Sequence, residues 1–255
     1  MRSTLYPALA ALVLGSGLPA LLAQAPDVPA WAEPGSATHT QVPPPADFHR
    51  PSRTSAAPIG LFDGQSDIGG ALVPGDSSYD PGTGRYAIDS AGYNIWYQRD
   101  EFRYLWKKVS GDVSLAADIV FPNPGGYGDR KAVLVIRQDL EDDSKEAMVA
   151  LHGAGLIHLA ERPGKGADIQ ETCRLQGGKP GGTPPERLGI EKRGDTFTLY
   201  VSLRGEPMHQ VGQPVVLHLD SPFYVGIGFC SYLPATIDSA TLGKVVLANS
   251  AGSVR

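Results

Sequence analysis

The residues best equipped for chemistry lie between Lys131 and Arg162. There Lys131, Arg137, Glu146, His152, His158 and Arg162 recur at spacings that put them on one side of three short strands. Guanidinium, carboxylate and imidazole groups gathered on one face can hydrogen-bond sugar hydroxyls or move protons. The strands are expected at Lys131–Gln138, Lys145–His152 and Leu156–Arg162, each apolar and bounded by the turn-rich links DLEDDS and GAG. Pairing Gln138 with Lys145 and His152 with Leu156 sends Ala132, Leu134, Ile136, Ala147, Val149, Leu151, Ile157 and Leu159 into a core. The opposite face carries the six polar residues over a floor of Val133, Val135, Met148, Ala150 and Ala160, and reads as an open polar groove.

On this register Arg137, Glu146 and Arg162 form one rung, a single carboxylate between two guanidiniums. A rung of opposite charges contributes ~0.2–1 kcal/mol, so a solvated ladder that holds the sheet in register stands beside a ligand-binding role. The segment NIWYQRDE adds Asn94, Trp96, Tyr97, Arg99, Asp100 and Glu101. Trp96 reads equally as a sugar platform and as an aromatic closing the sandwich edge.

The elements that must position these groups are all strands. Leu61–Gly69 opens the domain, and Gly75–Gly92 holds two short strands around a PGTG turn. Phe102–Val109 and Val113–Phe121 flank Ser110-Gly111-Asp112, which reads as a hairpin. That hairpin sets Phe102, Tyr104 and Trp106 against Ile119, Ala117 and Leu115 in the core, and Arg103 opposite Asp118 on the outer face, extending the groove. Arg187–Lys192, Thr196–Arg204, Val215–Leu219, Tyr224–Tyr232 and Ala240–Leu247 follow, and no helix longer than a turn is expected. Strands recurring every ~8–12 residues between glycine-rich turns specify an all-β, two-sheet antiparallel sandwich.

The chain has 255 residues and a net charge of -5. Residues 1–25 combine Arg2, an apolar stretch too short to span a bilayer and small residues suited to cleavage near Ala23 or Ala25. They read as a secretory signal peptide, which implies a periplasmic or secreted protein. Residues 26–58 are Pro-rich, lack a hydrophobic period and read as a disordered linker, able to tether a protein partner. The sandwich is expected over 59–249, with a disordered tail at 250–255. The absence of a basic cluster excludes nucleic acid as a natural partner. Cys173 and Cys230 leave one disulfide or a buried free thiol at Cys230 open. No zinc spacing and no GxSxG occur, and the runs GGYG and GGKPGGTP are not followed by a helix, so structural zinc, a nucleophile elbow and a phosphate loop are set aside.

The order RLGIEKRGDTFTLYVSLRGEPM, YVGIGFCSY and a last strand is similar to the back half of concanavalin A-like lectin/glucanase jelly rolls of the laminin G-like type. FDGQSDIG, YDPGTGRYAIDSAGYNIW, RDEFRYLWKKVSGDVSL, RKAVLVIRQDL and ALHGAGL resemble bacterial exported domains of this fold that are often attached to β-propellers, over roughly Gly60–Leu247. The resemblance implies a jelly roll with a concave, sugar-binding face. The glucanase motif E-x-D-x-x-E does not occur here, which removes the basis for that hydrolysis. Laminin G-like domains often hold calcium on loop carboxylates, a role that would fall to Asp63, Asp67 or Asp129, although turn capping accounts for these equally. No other cofactor is implied.

The first expectation is therefore an exported carbohydrate-binding domain, its ligand held by Asn94, Trp96, Arg99, Asp100, Asp118, Arg137, His152, His158 and Arg162. The alternative is a secreted glycoside hydrolase or lyase working through Glu101, Glu146 and His152, since glycoside hydrolysis needs two carboxyls ~5–10 Å apart. Against it, Arg137 is expected to keep Glu146 ionised and a poor proton donor. A third reading has the polar face contact another protein.

Overall fold

A computed structural model describes residues 50–178 and 185–254. The expected signal peptide, its cleavage region and the linker as far as residue 49 lie outside the described residues. The strands, in chain order, are β1 (Arg53–Ser55), β2 (Gly64–Ile68), β3 (Asp76–Asp80), β4 (Arg85–Ser90), β5 (Asn94–Trp96), β6 (Arg99–Val109), β7 (Val113–Val120) and β8 (Lys131–Arg137). They continue with β9 (Glu146–His152), β10 (Leu156–Arg162), β11 (Gln170–Gln176), β12 (Glu186–Arg193), β13 (Thr196–Ser202), β14 (His209–Val216), β15 (Phe223–Cys230) and β16 (Asp238–Ala248). One sheet has nine strands, ordered β1-β2-β6-β15-β8-β9-β10-β11 with β5 added to β6; the other has seven, ordered β14-β13-β12-β7-β16-β4-β3. All pairings are antiparallel. The fold is an all-β sandwich of two antiparallel sheets. No helix among the described residues is long and apolar enough to cross a membrane.

The register of the central strands is the one that period-2 patterning dictates. Arg137 pairs with Glu146 and Lys131 with His152, while Ile157 meets Leu151 and Arg162 meets Glu146. Alternation then delivers Leu134, Ile136, Val149, Leu151, Ile157 and Leu159 to the core between the sheets, where they meet Leu115, Ala117, Ile119, Leu188 and Ile190 of the other sheet.

The Ser110-Gly111-Asp112 link departs from expectation: it carries the chain from one sheet to the other. Strand β6 pairs with β2 and β15, and β7 with β12 and β16. Leu105 and Val109 of β6 and Val113 and Leu115 of β7 all point into the inter-sheet core, so the strands meet face to face rather than edge to edge. Phe102, Tyr104 and Trp106 therefore point outward, away from Leu115 and Ile119, into a second apolar cluster. That cluster joins them to Ile68, Ile95, Val133, Val135, Met148, Ala150, Ala160 and Cys230 on the outer face of the nine-stranded sheet. The expected open groove floor is thus a second core.

The glycines of β15 make this layer. Gly228 lies under the Phe102 ring and Gly226 beside that of Tyr104; a Cβ there would stand 2.7 Å and 2.9 Å from those rings. Tyr104 stretches across β15 and donates its hydroxyl to the Val135 carbonyl at 3.1 Å. Three segments outside the expected strands also prove to be strands. Strand β11 alternates between exposed and half-buried residues, β5 folds back on β6, and β1 adds an edge within the stretch assigned to the linker. Within the assigned tail, Val254 is buried against Ala116 and Tyr200.

Gly228→Ala is expected to destabilise the protein by ~1–3 kcal/mol, because the overpacked Phe102 ring has no space to yield. Urea unfolding measures it, and a midpoint equal to that of the parent would contradict this account of the layer.

Candidate functional site

The outer face of the nine-stranded sheet is sealed at one end and open at the other. At the sealed end the expected rung exists, but it is wholly buried and has a fourth member, Asp100. Arg162 donates to both Asp100 carboxylate oxygens, at 2.5 and 2.8 Å, and Arg137 reaches the same carboxylate at 3.3 Å. Glu146 lies 3.4 Å from Arg137 and 3.6 Å from Arg162. The guanidiniums also donate to main-chain carbonyls, Arg137 to Asp139 and Glu141, Arg162 to Ser144, Ala167 and Tyr97, whereas Arg137 Nη1 and both Glu146 oxygens are held by ion-pair contact without a hydrogen bond. Aromatic rings of Phe102 and Tyr104 lie 5.4 and 6.0 Å from the Arg137 guanidinium. Burial, reinforced by the Asp100 charge, pushes Glu146 up to about 7, against the expectation that Arg137 would keep it firmly ionised.

Several other expected residues also lie outside a common groove. Asp118 sits on the seven-stranded sheet, held by Arg187 at 2.9 Å and Lys244 at 3.0 Å, because β7 belongs to that layer. Arg99 pairs with Asp142 at 2.8 Å. Glu101 is buried against Arg50 and accepts the Tyr93 amide at 3.1 Å; burial outweighs the arginine and pushes it up to about 7. The calcium candidates are dispersed: Asp63 meets Lys107, Asp67 meets Arg103, and Asp129 stands beside His152. Among the described residues no group of three or more His, Cys, Asp or Glu side chains could hold a metal. Cys173 and Cys230 are free thiols, Cys230 fully buried, where burial pushes it up to about 11.

At the open end, Asn94, Trp96, His152 and His158 come together as expected, joined by Asp129, Lys131, Leu156, Glu171, Arg174 and Tyr232. They line a shallow cleft whose empty volume, with the open solvent at its mouth included, is about 300 Å³. Strand pairing builds it: Lys131 and His152 are cross-strand partners, and His158 faces Arg174 across β10 and β11. The imidazole rings meet edge to face at 5.1 Å, and Trp96 lies 5.3 Å from His158. The Lys131 ammonium stands 5.2 Å from the Trp96 ring centroid. Neither histidine nitrogen pair has a hydrogen-bond partner. His152 Nδ1 is 3.6 Å from Asp129 and His158 Nδ1 3.4 Å from Glu171, contacts too long or misaligned for hydrogen bonds.

Burial, aided by the Lys131 charge, drives His152 down to about 3, and burial lowers His158 as well, so both rings are neutral at pH 7. Contact with His158 and the two-point Arg174 fork hold Glu171 down to about 2. The cleft thus offers neutral imidazoles, an ionised carboxylate, an indole face and cations at its floor and rim. Glu171 and Arg174 were hidden in QETCRLQ, whose alternation is weak because its core side is Cys173 and Leu175 and its other side is interrupted by a bulge.

No family model matches this sequence, and no curated protein does. Among solved structures, a protein of unknown function from Saccharomyces cerevisiae shares the fold at a TM-score of 0.50 and 13% identity, over 70% of this chain and 97% of its own. Carbohydrate-binding module CBM66 from Bacillus subtilis aligns at 0.46 and 14%, over 68% and 91% of the two chains. The GH43 protein BlXynB from Bacillus licheniformis aligns at 0.47 and 14%, over 62% and 32%.

Removing one partner from the buried quartet leaves uncompensated charge, so Arg162→Leu is expected to cost ~3–5 kcal/mol in urea unfolding; a loss under about 1 kcal/mol would contradict the quartet's role. The pH dependence has two limbs. His152, lowered to about 3 in the fold, contributes stability that is present above about 6.5 and lost as pH falls toward 3. Glu101 and Glu146, raised to about 7, contribute stability that is present below about 4.5 and lost as pH rises through 7. Thermal scans across pH should show His152→Gln flattening the acid limb and Glu101→Gln the alkaline limb.

Proposed function

We propose that this chain is an exported, lectin-like carbohydrate-binding module that takes a sugar at the cleft between Trp96 and the His152–His158 pair. The observation that carries the reading is the set of four buried imidazole nitrogens with no hydrogen-bond partner, lining an opening. Buried polar atoms are nearly always satisfied, and unsatisfied ones at a cleft are met by what enters it. Sugar hydroxyls suit them, because each hydroxyl both donates and accepts. The half-buried Trp96 indole offers an apolar face for a sugar ring, and the ionised Glu171 accepts hydroxyl protons.

The cleft is small enough to favour a terminal residue or one short stretch of glycan rather than a long chain laid across the sheet. The glycosidase alternative has less support. Glu101 and Glu146 are closed off, and His152, neutral down to about pH 3, is a weak proton donor at neutral pH. The leader expected over residues 1–25 supports placement outside the cytoplasm, where extracellular glycans are met.

A glycan array followed by calorimetry on the purified chain tests the reading. At least one glycan class should bind, and Trp96→Ala and His158→Ala should each weaken it by 10-fold or more while the fold is retained. Glu101→Gln should leave affinity within about 2-fold. Retained affinity in both cleft variants would refute this site, and hydrolysis of a glycan lost in His152→Ala would favour the enzyme.

A further inference from the structure

We propose that the glycan is an acidic one, whose negative substituent is seated at the Lys131 ammonium in the floor of the cleft; this rests on the carbohydrate reading above and names its ligand class. Lys131 is 2% exposed. An ammonium carries three donors, yet the hydrogen bond made by Lys131 is a single long one, from Nζ to the Ile95 carbonyl at 3.4 Å. No carboxylate among the described residues lies within 4.0 Å of Nζ. The buried arginines are treated differently: Arg130 meets Asp238 at 2.6 Å and Arg162 meets Asp100. A buried cation without a counterion is costly, and burial accordingly lowers the Lys131 pKa. An anion entering the cleft would supply the missing partner.

The two acids nearby are already engaged. Glu171 takes two hydrogen bonds from Arg174, at 2.8 and 3.1 Å, and faces His158 Nδ1. Asp129 stands beside His152 Nδ1. With none of the four imidazole nitrogens hydrogen-bonded, the two rings are left to sugar hydroxyls, while Lys131 supplies donors for the charged group and Trp96 a surface for the ring. Neutral sugars would use the imidazoles and the indole but leave the ammonium uncompensated. The shared chemistry is one negative group on a sugar ring, either a uronate carboxylate or a sulfate ester.

The test titrates the purified chain with galacturonate and glucuronate oligomers, their methyl esters, sulfated oligosaccharides and neutral oligosaccharides. The esters keep the sugar and remove the charge, so this comparison needs no variant. An acid form binding at least 10-fold tighter than its ester supports a uronate, and tight binding confined to sulfated sugars supports the sulfate source. Lys131→Met should then reduce the acid preference to within about 3-fold. Esters binding as tightly as acids, or neutral glycans alone binding, would overturn the acidic class while leaving the carbohydrate reading intact. Binding by none of the probes would overturn both.

Discussion

Two guanidiniums and two carboxylates, buried together beneath Phe102 and Tyr104, are the constraint on which the outer face of this sandwich depends. Charges taken out of water are tolerable only when almost every proton and lone pair finds a partner. Arg137 and Arg162 find theirs on carbonyls of Tyr97, Asp139, Glu141, Ser144 and Ala167, in three different connecting segments. The quartet therefore fixes those segments over the sheet as well as the strands beneath them. It closes one end of the face, and whatever the protein binds there must use the other end.

The two ends differ in how their polar atoms are satisfied. At the closed end most of the donors are spent inside the protein, and the exceptions, Arg137 Nη1 and the Glu146 oxygens, face opposite charges. At the open end four imidazole nitrogens and most of the Lys131 donors are not. The apolar layer between them, Val133, Val135, Met148, Ala150 and Ala160 under the aromatics of β6, excludes water from the middle of the face. The same dry layer accounts for neutral histidines and raised glutamates within one sheet.

The hairpins from Lys131 to Arg162 were legible because period-2 alternation and tight turns leave only one register that buries all the apolar side chains. The rung Arg137–Glu146–Arg162 followed from that register. Its burial did not, because the cover comes from Asp100, Phe102 and Tyr104, some thirty or more positions upstream. The SGD link misled for a related reason: a tight turn signals a change of direction, and both a hairpin and a crossing between sheets satisfy it. Of the cleft, Asn94, Trp96, His152 and His158 could be anticipated. Glu171 and Arg174 could not, since β11 has too few large apolar residues to declare itself a strand.

Strand β1 is three residues long and forms the outermost rung of its sheet, with Arg50 just before it clasping Glu101 and the Gly70 carbonyl. A force applied to the chain at residue 50 would first load that clasp and then peel β1 from β2 one residue at a time, rather than shear the whole sandwich. A pull from that side would therefore reach Glu101 first and, through it, its cross-strand partner Asn94 at the cleft.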